Sequence, residues 1–455
     1  MLHRFEKSGR YVVYDNVSGV LFEVDKVAFE LLEYIREESV EQLTDRFGDQ
    51  YGRSNVKETA EELRLLIEEK LLFDGEPEYE QKEAFGKVKA LCLNVSHDCD
   101  LRCAYCFAAQ GSFKKDRQLM SLDTAKAAID FLIKESGNRQ SLEVDFFGGE
   151  PLLNFDVVKQ TVLYARKAAA ENDKTFKFTL TTNAYALDKE KEAFLNEYMD
   201  NVVLSLDGRR MVHDRMRPAT DGTGSYIDVC QNILSLIKNR GEKEYYVRGT
   251  YTAYNKDFAE DVLHIANMGV EHISVEPVSA QEDLPYALQK EDLTLLDEQY
   301  DRIMQEYLSR LHTDRPFQFF HFNVDIDNSP CVYKKISGCG AGSAYLAVAA
   351  NGELYPCHQL ANEEKFLLGN VFDGLENEEL GREFFETNIL TKEDCRDCWA
   401  KYHCGGGCYA AAYYAQGDIS LVDEMACEIQ KKRLEYALLL KVVNSDVDEL
   451  YPKDL

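Results

Sequence analysis

Positive charge is what this sequence has little of: 52 Lys and Arg stand against 81 Asp and Glu, a formal net charge of −29. Nucleic-acid binding draws its affinity from cations that neutralise phosphates, so no nucleic-acid partner is expected. The chain has no run near the ~18 consecutive apolar residues that a membrane span needs, so no membrane partner is expected either. Met1 to Lys7 contain no apolar h-region of a secretory signal. Internal repeats and low-complexity tracts are absent. The expectation is a cytoplasmic globular protein. Its 45% hydrophobic and 29% charged content is ordinary, and 455 residues correspond to about three domains.

Cysteine, by contrast, is plentiful. Thirteen cysteines in a reducing compartment point to metal or redox chemistry rather than structural disulfides. Only Cys92 and Cys230 stand outside the two rich zones, 99–106 and 331–427.

The chain reads as three blocks. Residues 1–75 begin with a β-hairpin, Tyr11 to Tyr14 and Val20 to Val24 around a turn at Asp15 to Gly19. A helix capped by Asp25 follows, then one capped by Ser39 and ended by Gly48, then a third from Asn55 to Lys70. Leu71-Leu72-Phe73 reads as a short strand or wing. This is a winged-helix-like module, and its acidic third helix favours a peptide over DNA. Asp74 to Gln81 reads as a linker. Residues 87–312 alternate strands (88–95, 142–147, 176–182, 201–206, 245–252, 272–276) with helices (122–136, 155–171, 187–197, 226–239, 256–268). Such alternation predicts parallel βαβ units, as an open sheet or partial barrel with its chemistry at the C-terminal strand ends. Residues 317–455 are rich in Cys and Gly until a helix near 424–443, and a region of this kind needs staples such as metal centres.

The first motif follows the first strand of the second block: Cys99, Cys103 and Cys106 in a C-x3-C-x2-C loop, with Tyr105 before the last cysteine. Three thiolates can hold a cubane by three of its four irons and leave one iron open. The alternative is a zinc site completed by His97. Phe147-Gly148-Gly149-Glu150-Pro151 ends the next strand, where glycines permit close approach and a carboxylate can pair with an ammonium; alone it could be an ordinary turn. Thr181 and Asn183, then Ser205 and Asp207, then Arg248, then Val275 and Glu276 fall at the following strand ends.

This ordered set resembles the radical S-adenosylmethionine (SAM) enzymes. The resemblance implies a partial (β/α)6 radical SAM barrel in an α/β fold, with a 4Fe–4S cluster on Cys99, Cys103 and Cys106. It also implies that the methionyl group chelates the open iron. Gly148, Gly149, Glu150 and Pro151 would then bind the methionyl amine, Ser205 and Asp207 the ribose, and Arg248 the carboxylate. Val275 and Glu276 would pack on adenine, with Tyr105, Thr181 and Asn183 completing the site. His213-Asp214, Arg217-Pro218 and Gly224-Ser225-Tyr226 resemble the peptide-modifying branch, in a catalytic or a loop-packing role.

The second array is Cys339, Cys357, Cys395, Cys398, Cys404, Cys408 and Cys427, seven cysteines where a zinc ribbon needs four. It resembles the SPASM domain, which implies two auxiliary 4Fe–4S clusters and three clusters in all. One would lie on Cys395, Cys398, Cys404 and Cys427, the other on Cys339, Cys357 and Cys408. The fourth ligand of the latter is Cys331 or a substrate thiolate, and Cys331 could also be a plain buried cysteine or a reactive thiol. Sulfatase-maturing relatives carry Asp after the cysteine matching Cys357; here it is His358, a candidate base or a backbone-bonded neighbour of a cluster. The surrounding strings are similar to thioether-forming maturases of six-cysteine (SCIFF) and ranthipeptide precursors. The resemblance implies that residues 1–75 bind a leader peptide, that an external reductant supplies one electron, and that His358 and Cys331 are the catalytic candidates. Other SPASM oxidations (formylglycine formation, C–C crosslinking, epimerisation) and a non-catalytic iron–sulfur electron carrier are the alternatives.

Overall fold

The computed structural model describes residues 1–75, 86–326, 336 and 338–450, with 445–450 by backbone alone. Cys331 lies outside the described residues.

The chain opens with a three-stranded antiparallel sheet: β1 (Leu2–Lys7), β2 (Arg10–Asp15) and β3 (Leu21–Val24), in the order β1-β2-β3. Three helices cover it: α1 (Lys26–Leu31), α2 (Val40–Tyr51) and α3 (Arg53–Glu68). Asp25 caps α1 through the Ala28 N–H, and Ser39 with Gln42 forms a full capping box on α2. Besides the added strand β1, two details differ from the sequence reading. Gly48 does not end α2; a Cβ there would stand 2.7 Å from Arg53 Cγ, so this glycine lets α2 and α3 close on one another. The helix stops at Gly52, whose φ of +86° suits glycine. Residues 71–73 form a bend rather than a strand, because Lys70 and Phe73 turn through φ of 60° and 55°. The Phe73 N–H is then held by Asp15 Oδ2 at 2.8 Å.

The second block alternates as the periodicity predicts. β4 (Ala90–Ser96), β5 (Ser141–Gly148), β6 (Thr175–Thr182), β7 (Asn201–Ser205), β8 (Glu244–Tyr251) and β9 (His272–Pro277) pair in parallel, each with the next. Helices α4 (Leu122–Glu135), α5 (Phe155–Glu171), α6 (Lys189–Tyr198), α7 (Arg210–Met216), α8 (Tyr226–Lys238) and α9 (Ala259–Asn267) connect them. On β5 the outward residues Leu142, Val144 and Phe146 are buried, while Glu143, Asp145 and Phe147 on the other face are partly open.

The Cys-rich block continues this sheet at both edges. After α10 (Leu293–Arg310), β10 (Gln318–Phe319) pairs in parallel with β9. β11 (Tyr345–Val348) pairs in parallel with β4, and β12 (Glu353–Tyr355), β13 (Gly369–Asn370) and β14 (Gly374–Leu375) follow antiparallel. The result is an eleven-stranded sheet with a parallel centre. A long final helix, Glu424–Leu450, packs on α10 and on the N-terminal module. Among the described residues no helix is long and apolar enough to cross a membrane.

Candidate active site

The three-cysteine loop leaves β4 and is held on every side by backbone. Arg102 N–H donates to the Pro218 carbonyl at 2.8 Å and Ala104 N–H to that of Met216 at 2.9 Å, while Thr220 N–H donates to the Asp100 carbonyl at 3.2 Å. The segment from His213 to Thr220 is therefore a cradle for the loop. Its centre is Asp207, fully buried. One Asp207 oxygen accepts from Tyr105 Oη at 2.5 Å; the other accepts from Arg217 Nε at 3.0 Å and from the Thr250 N–H at 3.0 Å. Burial works against the Arg217 charge, and Asp207 with Tyr105 more than restores it. Ser225 donates to the Arg217 carbonyl at 2.6 Å, so its oxygen accepts from His213 Nε2 at 3.0 Å. His213 Nδ1 then accepts the Asp207 N–H at 3.3 Å, the neutral tautomer, and burial pushes this imidazole down to about 4.

The glycine pair ending β5 fits against the same loop. A Cβ on Gly148 would lie 2.4 Å from the Ser96 carbonyl oxygen, and one on Gly149 2.2 Å from that of Asp98. Gly149 N–H bonds Ser96 O at 2.7 Å and Glu150 N–H bonds Asp98 O at 2.9 Å. Pro151 opens a 3-10 turn, Pro151–Asn154, capped by Glu150 through the Leu152 N–H at 3.0 Å. The fully buried Glu150 carboxylate also accepts from Thr182 Oγ1 and the Asn183 N–H, each at 2.8 Å. Burial, and then the nearby Asp100 charge, raise it to about 8. Asn183 donates to Asp100 Oδ1 at 2.7 Å and lies 3.7 Å from Cys99 Sγ. The structure thus brings Cys99, Glu150 and Asn183 into one cluster that has more acid than local cation.

Of the remaining strand-end residues, Arg248, more than half exposed, pairs with Glu276 at 2.8 Å. Ser205 stands beside Arg248 in register, and Thr181 is likewise a less buried position of β6. Val275, by contrast, is wholly buried.

The seven C-terminal cysteines fall into two neighbourhoods. Burial, then Cys408 and Cys339, pushes the Cys357 thiol up to about 12. Burial, then Cys404 and Cys395, does the same to Cys427, with Cys398 also beside it. Cys339 and Cys408 are the exposed members. His358, next to Cys357, is hydrogen-bonded through Nδ1 to Tyr345 Oη at 3.0 Å. Its ring packs between Phe147 (centroids 4.8 Å apart) and Phe107 (5.4 Å), and Phe107 directly follows Cys106. Burial, then the Arg248 charge, holds this imidazole down near about 4.

These donors fit clusters better than zinc. His97 Nε2 accepts the Ala350 N–H at 3.3 Å and is buried, so it is spent on the fold rather than left for a metal. Among the described residues no three Cys, His, Asp or Glu side chains converge on a single-ion site. Cubane ligands need not converge, since each binds a different iron. The acid surplus around Glu150 also suits a ligand ammonium. Sequence reasoning missed the links of Asp207 to Tyr105, Phe107 to His358 and Tyr345 to His358. The first two join residues far apart in the chain, the third crosses the β11–β12 hairpin, and no local pattern signals any of them.

Residues 93–268 match the family model described as the Radical SAM superfamily. The chain is 22% identical over 454 residues to "Radical SAM cyclopropyl synthase TigE" of Paramaledivibacter caminithermalis, covering 92% of this chain and 90% of that protein. It is 24% identical over 332 residues to the cysteine-type anaerobic sulfatase-maturating enzyme of Clostridium novyi, covering 69% of this chain and 86% of that enzyme. Solved structures of anSMEcpe with bound AdoMet, alone and with a Cp18Cys peptide, share the fold at a TM-score of 0.64 and 20% identity. They match 79% of this chain and 99% of theirs.

Proposed function

We propose that this chain, whose residues 93–268 belong to the Radical SAM superfamily, closes thioether bridges in a Cys-rich peptide docked through residues 1–75. The carrying observation is the seam between the two cysteine zones: Phe107, next to Cys106, packs on His358, next to Cys357. A substrate lodged there would meet the radical-generating and electron-accepting ends of one chamber. When bound, SAM and its cluster, the cluster reduced by an external one-electron donor, would supply a deoxyadenosyl radical, and the auxiliary clusters would supply an electron sink.

The chain's own residues hold and orient. Cys99, Cys103 and Cys106 would ligate one cluster, with Asp207, Tyr105 and Arg217 fixing the loop. Glu150 would face the methionyl ammonium, and Arg248, released from Glu276, its carboxylate. Cys395, Cys398, Cys404 and Cys427 would ligate a second cluster, and Cys339, Cys357 and Cys408 a third. In forming each bridge the peptide loses one hydrogen atom from carbon, one thiol proton and one electron. His358, bonded to Tyr345 through Nδ1, would be the candidate acceptor of the thiol proton, and an imidazole held down to about 4 would be a weak base for that step. His358 instead of Asp after Cys357 supports thioether formation over formylglycine formation.

A second reading, C–C ring or crosslink formation, is favoured by the likeness to TigE across 92% of the chain. An anaerobic reaction with a Cys-rich candidate precursor peptide separates them. Intact mass is read before and after thiol alkylation. Loss of two hydrogens with one thiol missing per event supports the thioether; the same loss with all thiols alkylatable supports C–C closure. Release of no deoxyadenosine overturns both.

A further inference from the structure

Lys392 lies three residues before Cys395, at the cap of the short helix Glu393–Arg396, and is only 2% exposed. Its ammonium donates to the Gly406 carbonyl at 3.2 Å and to that of Leu421 at 3.0 Å, and stands 5.0 Å from the centre of the Tyr409 ring. Gly406 is the midpoint of Cys404-Gly405-Gly406-Gly407-Cys408. That loop joins a cysteine of one C-terminal set to a cysteine of the other. Among the described residues no carboxylate pairs with Lys392. Burial works against its charge, and thiols of both sets lie close enough to act on it, Cys395, Cys427 and Cys404 from one and Cys408 from the other, as does the exposed carboxylate of Asp418. Both hydrogen-bond acceptors of the ammonium are neutral carbonyls, and one of them lies inside the loop that joins Cys404 to Cys408. The other buried lysine nearby, Lys401, donates to the Arg396 carbonyl at 2.7 Å, inside one set rather than between the two.

We propose that Lys392 is the shared counter-charge of the two C-terminal cysteine sets, a fixed ammonium that raises the reduction potentials of both clusters they hold. The inference rests on the proposed auxiliary clusters. A 4Fe–4S cluster on thiolates is anionic and gains one more negative charge on reduction, so a nearby cation favours the reduced state. Net charge and hydrogen bonding around the sulfurs are established levers on such potentials. Placing both potentials within reach of the electron released during peptide oxidation is the role this gives Lys392.

The test uses the full chain carrying Cys99→Ala, Cys103→Ala and Cys106→Ala, so that only the C-terminal sets hold iron. Iron content and an EPR-monitored redox titration are compared with and without Lys392→Met and Lys392→Arg. The expected result is full iron in all three proteins, both potentials lower in Lys392→Met, and recovery toward the parent in Lys392→Arg. If Lys392→Met fails to load iron while Lys392→Arg loads it, the charge is still required and the inference stands. Unchanged potentials in an iron-replete Lys392→Met protein overturn it, as does failure of both variants to load. A parent that binds no iron overturns the auxiliary-cluster reading itself, and the inference falls with it.

Discussion

Arg217 is the residue on which the geometry of the three-cysteine loop rests, and Arg217→Met isolates its contribution. The Asp207 carboxylate is fully buried and its ion pair with Arg217 spans 3.0 Å. The substitution removes the cation and leaves Asp207 with two neutral donors, Tyr105 Oη and the Thr250 N–H. Stranding one member of a buried ion pair costs about 3–5 kcal/mol. Tyr105→Phe removes a hydrogen bond to a charged acceptor, worth about 1.5–3 kcal/mol. The guanidinium also lies 5.4 Å from the Tyr105 ring centre, so the two changes share a partner and the double variant loses less than their sum. Denaturant unfolding of the iron-free protein measures these differences. Iron content and deoxyadenosine release then read the consequence: Arg217→Met is expected to lose the loop's cluster and SAM cleavage while retaining C-terminal iron. Arg217→Lys restores charge but not the planar fork, so partial recovery is expected. An Arg217→Met protein within about 0.5 kcal/mol of wild type, the scatter of ordinary surface substitutions, and still cleaving SAM would refute the reasoning.

Gly149→Ala places a Cβ 2.2 Å from the Asp98 carbonyl oxygen, next to Cys99; SAM cleavage should be lost while C-terminal iron stays, and cleavage at wild-type rate would contradict the close approach. Tyr345→Phe removes the partner of His358 Nδ1 and should cost about 1–3 kcal/mol. It should also lower peptide product per deoxyadenosine released, and an unchanged ratio would remove Tyr345 from the peptide chemistry. His213 is buried neutral and held down to about 4. The unfolded chain therefore binds its proton first as pH falls, and stability is lost between about pH 6.5 and pH 4, up to about 3 kcal/mol for this residue. Acid unfolding of the iron-free His213→Gln protein should be shallower across that window; an unaltered profile would place the acid sensitivity elsewhere.

The barrel was legible because its strands and helices alternate at two distinct periods, and the β4 to β9 spans fall within two residues of the patterned segments. β1 was not, since Leu2 to Lys7 mixes apolar and charged residues without a clean alternation. Its partners lie far along the chain: His3 stacks on Trp399 at 3.8 Å and bonds Glu435, and Lys7 pairs with Asp297 and Glu435. Cysteine spacing suggested two C-terminal groupings, and in the fold Cys357 neighbours Cys339 and Cys408 while Cys427 neighbours Cys395, Cys398 and Cys404. Asp207 shows the limit. A strand-end Asp matches a ligand-contacting element, yet both its oxygens are engaged by the protein, one of them by Tyr105, 102 positions away.

The position of Cys357 and His358 depends on strand register. β11 lies beside β4 with Ala347 opposite Cys92, and β12 folds back with Tyr355 opposite Ala347. Cys357 follows two residues later, on the side of Cys92, whose thiol is raised by burial and then by Asp145. A one-residue slip in this hairpin would turn each side chain to the other face and carry His358 away from Phe107. The turn that fixes the register closes through Gly352 N–H to the Ala349 carbonyl and Ala349 N–H to that of Glu353, each at 2.9 Å. Gly352 sits at φ +90°, with Asn370 Oδ1 and Val371 Cγ2 both 3.1 Å from a would-be Cβ. Gly352→Val therefore forces a β-branched residue into a conformation that costs about 1–3 kcal/mol, against side chains of Asn370, Val371 and Phe372 that must shift to admit it. Iron on the Cys339, Cys357 and Cys408 set should fall while the three-cysteine loop keeps its cluster and SAM is still cleaved. Loss of the loop's cluster alone would mean that the hairpin supports the barrel edge rather than the placement of Cys357.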